Sequence, residues 1–188
     1  MRTTMISLLV AAALSAPAVA GEAVEERVAE SREAAKSLMQ ELKGALQGAM
    51  QSGGPVAAVE VCHDQAQALT RGVSQSQGLD VARTSHKLRN PANAPDAWEQ
   101  EVLQDFLARR AAGEDPKRIE HWEVVEADGH QTFRYMKAIP TGEICLVCHG
   151  SSLAEPVAEK IEALYPRDRA TGFEPGDIRG AFTISQPM

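Results

Sequence analysis

The chain has no excess of basic residues and, beyond its first 20 positions, no long apolar run. Lys and Arg number 19 against 26 Asp and Glu, for a formal charge of −7 over 188 residues. An acidic balance of this kind argues against nucleic acid or an anionic membrane as partner. Without a second apolar stretch of about 20 residues there is no helical span, so a soluble protein is expected. Internal repeats and low-complexity linkers are also lacking. Cysteine is scarce, at three, and an odd number cannot be consumed by intrachain disulfides alone.

What is present begins at the N-terminus. Arg2 supplies a short positive region, Met5 to Leu14 is largely apolar, and Ala18-Val19-Ala20 before Gly21 is an A-x-A cleavage pattern. Residues 1–20 therefore read as a secretory signal peptide, which points to the periplasm. The apolar run is too short for a confident membrane span, although an uncleaved anchor is the alternative. Residues 21–188 remain, enough for a single domain with a real core. Because the leader carries only Arg2, this remainder has a charge of −8, which suits a soluble periplasmic protein and a basic redox partner.

The segment Cys145-Leu146-Val147-Cys148-His149 is a C-x-x-C-H run, the attachment pattern of c-type haem. Two thiols one helical turn apart can form thioethers to one macrocycle, and the adjacent imidazole is placed to be an axial iron ligand. Export and haem attachment support each other, because c-type haem is attached outside the cytoplasm. The expected cofactor is one covalent haem c. A zinc site of Cys62, Cys145, Cys148 and His149 has suitable ligand types, but the adjacency of Cys148 and His149 fits haem better.

Cys62 is then the odd cysteine. Gly53-Gly54-Pro55 breaks the chain, and Pro55 suits the first turn of a new helix. Pro55, Val59, Cys62, Ala66 and Leu69 follow at spacings of four and three, which puts Cys62 on the inward stripe of that helix. This position argues against an intermolecular disulfide. It leaves two readings open, an inert buried thiol and a thiolate ligand to iron. Other candidates for a sixth ligand are His63, His86, His121, His130, Met39, Met50 and Met136. His63 lies on a mixed face beside Cys62, His121 and His130 flank a hairpin, and Met136 sits in a strand pattern where core packing is the default.

Val24, Val28, Ser31, Ala35, Leu38, Leu42, Ala45 and Ala49 mark a long amphipathic helix over about 22–51. Its heptad-like stripe permits a homodimer through a helix pair, or packing on its own domain. A strand follows over 79–87, then a loop from Asn90 to Pro95. Asp96-Ala97-Trp98-Glu99 resembles a capping box opening a helix through Arg110, with Ala111-Ala112-Gly113 ending it. Strands over 121–127 and 131–139 meet at Asp128-Gly129, a hairpin signal. A helix over 156–164 and a strand over 178–185 complete an α+β fold with a small antiparallel sheet. Arg83, Ser85 and Lys87 alternate along the first strand, so Arg83 and Lys87, with Arg89 and Arg179 as further candidates, can meet the haem propionates. A solvated strand face is the alternative.

The helix stripe, Ala58-Val59-Glu60-Val61-Cys62, the run from Arg83 through Asp96 with its Arg89-Asn90-Pro91-Ala92-Asn93 core, the motif with Gly150, and Gly176-Asp177-Ile178-Arg179-Gly180-Ala181-Phe182 together resemble one family. It is the periplasmic c-type haem domain family of unknown function with a PAS-like fold, the cyanobacterial Tll-type haem proteins. The resemblance covers nearly all of the chain after the leader. It implies a PAS-like α+β domain with a long N-terminal helix and a C-terminal haem-attachment segment. It further implies iron ligated by His149 and Cys62, and a sensor-like role, although this chain has no kinase or receptor module.

A thiolate ligand stabilises ferric iron and lowers the potential. The expected function is redox sensing or low-potential electron transfer with an unknown redox or signalling partner. The alternative is a gas or small-molecule sensor in which Cys62 leaves on reduction. A haem enzyme such as a peroxidase fits less well, for want of a distal acid–base arrangement.

Overall fold

A computed structural model describes residues 16–188 except Asp128, with side chains from residue 21 onward. Apart from residues 16–20, which open the first helix, the expected leader lies outside the described residues. Among the described residues no helix is long and apolar enough to cross a membrane.

Helix α1 runs Ala16–Gln77 but is interrupted at Gly54, whose φ of 72° and ψ of −166° are non-helical. That left-handed φ favours glycine, and Pro55 restarts the helix. Val28 and Val73 nevertheless share one core cluster. In a straight helix they would lie about 67 Å apart, so α1 is a helical hairpin folded at Gly54.

Four strands form one antiparallel sheet in the order β1-β4-β3-β2: β1 is Asp80–Thr84, β2 Glu120–Ala127, β3 His130–Pro140 and β4 Ile178–Pro187. Alternation of side chains across the strands gives two apolar faces. Val81, Phe133, Tyr135, Phe182 and Ile184 meet Val28, Ala35, Leu38 and Val73 of α1. Met136, Ala138, Ile178 and Ala181 meet Val102, Leu103 and Phe106 of α2 (Ala97–Ala111). Much of the apolar stripe of the first arm, including Val28, Ala35 and Leu38, is thus buried against its own sheet. The capping box of α2 is present, with Asp96 accepting from the Glu99 backbone and Glu99 from that of Asp96.

The remaining helices are short. Helix α3, Glu143–His149, carries the C-x-x-C-H motif directly after β3. Helix α4, Glu155–Leu164, packs Val157 and Ile161 against Val59 in the second arm of α1. The result is an α+β, PAS-like domain.

One expectation is corrected. The first strand stops at Thr84 rather than reaching Lys87. Ser85 Oγ takes over the local bonding there, linked to the Arg179 and Lys87 carbonyls and accepting from the Lys87 amide. Arg83, Ser85 and Lys87 therefore do not alternate on one strand face. Gly180 is what permits this close crossing, since a Cβ there would collide with the Thr84 carbonyl and the Ser85 side chain.

Candidate functional site

Both arms of α1, the sheet and α3 enclose an open cavity of about 800 Å³, within the range of cofactor pockets. Its wall is mainly apolar, with Leu42, Leu46, Leu69, Ile139 and Phe182 among the contributors. Cys62 faces it from the second arm; Cys145, Cys148 and His149 face it from α3. The helical stripe that placed Cys62 inward therefore delivers it to a cavity rather than to solid core. It is accordingly exposed rather than packed.

His149 is held by its outer nitrogen. Nδ1 lies 2.7 Å from the Ala170 carbonyl, so Nδ1–H donates there and Nε2 is left with its lone pair, the tautomer a metal-binding histidine requires. Burial, aided by Arg179 and Arg89, pushes the imidazole well below its usual range and keeps it neutral.

The Ala170 carbonyl is itself fixed by a buckle that spans three segments. Asp168 accepts from the Ala170 amide at 2.9 Å and from Arg89 Nε and Nη2 at 3.1 and 3.0 Å. Arg89 Nη2 also donates to the Cys148 carbonyl at 2.7 Å and the Ala170 carbonyl at 3.3 Å. Backbone bonds from Gly172 to Gly150 and from Phe173 to His149 bind the same strap to the end of α3. Arg89, expected to face a propionate, is thus engaged in holding the motif in place.

Arg83 and Arg179 differ from Arg89. Their Nε atoms are buried without a partner, and neither guanidinium has a carboxylate among the ion pairs of the described residues. Burial, then the nearness of Arg179, lowers Arg83 to about 10. Burial lowers Arg179 too, against the pull of Cys145 and Cys62. Two desolvated cations side by side in one cavity, with orphaned donors, call for an anionic ligand. Lys87 stands at the rim, donating to the Thr171 carbonyl at 3.3 Å and lying 4.6 Å over the Phe173 ring.

Although Cys62 is exposed toward the cavity, the protein around it desolvates the thiol and pushes it up, opposed by Arg83, Arg179 and Arg89. Cys148 is likewise raised by burial. Among the described residues no group of three or more His, Cys, Asp or Glu is arranged to hold a metal ion, so the four zinc-type ligands do not converge.

Apart from Met39, the other ligand candidates among the described residues do not line the cavity. Met136 is fully buried in the α2-side core. His63 is turned to Asp64 at 2.7 Å and to the Tyr165 ring. His121 is near Glu123 and Trp98. His86 packs edge-on to Phe173 with its Nδ1 buried and unpartnered. Met39 alone of the three methionines lines the cavity, at its mouth. Sequence reasoning missed Asp168 and Ala170. Their one signal is the two-residue spacing of an Asx turn, which carries no hint of the histidine beyond it.

Comparison with known proteins gives one family and one fold. The family model described as Tll0287-like matches residues 20–187. The crystal structure of the cyanobacterial heme-protein Tll0287 superposes with a TM-score of 0.59, covering 93% of this chain and 98% of that one at 21% identity. No curated protein matches.

Proposed function

The chain belongs to the Tll0287-like family, and from that premise we propose that it is a periplasmic c-type haem protein for redox sensing or low-potential electron transfer. Cys145 and Cys148 would hold the haem through thioether bonds, and His149 and Cys62 would be the side chains that ligate its iron. The observation that carries this is the His149 tautomer. With Nδ1–H committed to Ala170, Nε2 is free at a cavity that a lone cysteine enters from another helix.

The residues fit the group. The cavity is apolar and of cofactor size, the C-x-x-C thiols lie on one short helix, and Arg83 and Arg179 offer unpartnered donors for two propionates. When bound, haem supplies one-electron iron chemistry. The protein's own residues do the rest. Ala170, locked by Asp168 and Arg89, orients the imidazole. Cys62 brings a negative charge that favours the oxidised state. The apolar wall offers a nonpolar surface to a macrocycle. Among the described residues that line the cavity, His149 is the lone histidine and Glu120 the lone carboxylate, so a non-enzymatic role is proposed. A second reading, gas sensing on release of Cys62, draws support from the open cavity in front of that thiol.

The test is attachment. Protein exported by a host that matures c-type cytochromes should gain one haem in mass. Cys145→Ala with Cys148→Ala should abolish the adduct. An unmodified chain carrying stoichiometric zinc would overturn the reading.

A further inference from the structure

The cavity concentrates positive charge in an acidic protein. Among its lining residues are nine Lys and Arg and a single carboxylate, Glu120, in a chain of 19 basic and 26 acidic residues. Four of them, Arg83, Lys87, Arg89 and Arg179, are described above: Arg89 holds the motif, Lys87 donates to the Thr171 carbonyl, and Arg83 and Arg179 have unpartnered Nε atoms. The outer five are Arg32, Lys36, Lys43, Lys117 and Lys137. Arg32 and Lys137 share Glu120, and Lys36 pairs with Glu33. Lys43 and Lys117 have no carboxylate partner among the described ion pairs and are exposed. Two exposed apolar side chains line the same cavity, Met39 at 48% and Ile144 at 41%.

We infer that the mouth of the cavity is a docking surface for an acidic partner protein, with Met39 and Ile144 as its apolar centre and the outer cations as its rim. Interfaces of this build gain encounter rate from complementary charge and contact area from a small apolar core. Overall charge favours a basic partner, but the charged side chains that line the cavity are mostly cationic. Field strength falls off within about 8 Å at physiological salt, so the rim, not the distant acidic surface, governs the approach. The use of this surface for electron exchange rests on the function proposed above; its sign does not.

Two measurements on the full exported protein test it. In the first, ferrous protein is oxidised by hexacyanoferrate(III) or by tris(phenanthroline)cobalt(III), each oxidant gaining the one electron the protein loses. From about 0.15 M salt upward, where the distant acidic surface is screened, the anionic oxidant should slow as salt rises. Lys43→Glu with Lys117→Glu should cut its rate about tenfold. A cationic oxidant that slows over the same salt range overturns the inference. In the second, a labelled oligoglutamate peptide is titrated in and followed by anisotropy, a readout independent of haem. Binding should weaken with salt and vanish in the double variant. Persistence in that variant overturns the inference. So does equal competition by free glutamate, which would mark a small-anion site, or a salt-sensitive dimer broken by Lys43→Glu, which would assign the mouth to a second copy. A chain without haem that still binds the peptide would refute the haem reading and leave the surface standing.

Discussion

Replacing Asp168 with alanine should unfasten the C-x-x-C-H helix from its strap. The Arg89–Asp168 pair is enclosed, with side chains 14% and 10% exposed. Removing one member of such a pair costs about 3–5 kcal/mol, since the other charge stays desolvated. Arg89 would keep the Cys148 and Ala170 carbonyls as acceptors, which favours the low end. The Ala170 amide would lose its acceptor in the same step. The expected loss is about 3 kcal/mol, or roughly 6–12 °C in Tm for a domain of this size. Arg89→Ala should cost a similar amount, and the double variant less than the sum, with a coupling of about 2 kcal/mol. Thermal unfolding followed by far-UV circular dichroism measures all three. Strict additivity, or a Tm within about 2 °C of the parent for Asp168→Ala, would refute the buckle.

Three more outcomes are expected. Burial would raise Glu120, but hydrogen bonds from Arg32 and Tyr135 and the charge of Lys137 pull it down to about 2 from 4.5. Its contribution, at most about 3 kcal/mol, is therefore present above pH 4.5 and lost as pH falls toward 2, and Glu120→Gln should flatten that part of a stability–pH curve. Cys62→Ser should change the ferric visible and electron paramagnetic resonance spectra and raise the reduction potential through loss of the thiolate charge; an unaltered spectrum removes Cys62 from the iron. Gly180→Ala should cost about 1–3 kcal/mol by overpacking against Thr84 and Ser85, and an unchanged urea midpoint would show that the crossing can relax.

Features carried by neighbours in sequence were legible from the residues. The capping box at Asp96 and Glu99, the β2–β3 hairpin, the break at Gly54 and the periodic stripe that turns Cys62 toward the cavity each depend on a few adjacent positions, and each is found. Features carried by distant partners were not. The end of β1 at Thr84 depends on the Arg179 carbonyl, 94 positions from Ser85. Arg89 was legible as a basic residue near the site, but its commitment to Asp168, 79 positions away, was not. A strand pattern assigns side chains to faces; it cannot say which guanidinium finds a carboxylate and which is left with an orphaned Nε.

Charge shows the same division most clearly. The formal sum of −7 is a property of composition, and on that sum a basic partner was the natural expectation. The gathering of nine cations around one cavity is a property of the fold. The hairpin at Gly54 brings Arg32, Lys36 and Lys43 of one arm over the cavity that Cys62 enters from the other. The β1–β4 pairing sets Arg83 opposite Phe182, three positions from Arg179. The β2–β3 register then sets Glu120 opposite Lys137, which neutralises part of the rim, while Lys43 and Lys117 have no carboxylate partner among the described ion pairs. Net charge sums over positions without regard to place, whereas the field a partner meets is weighted by distance, so only the folded chain fixes its sign at the site.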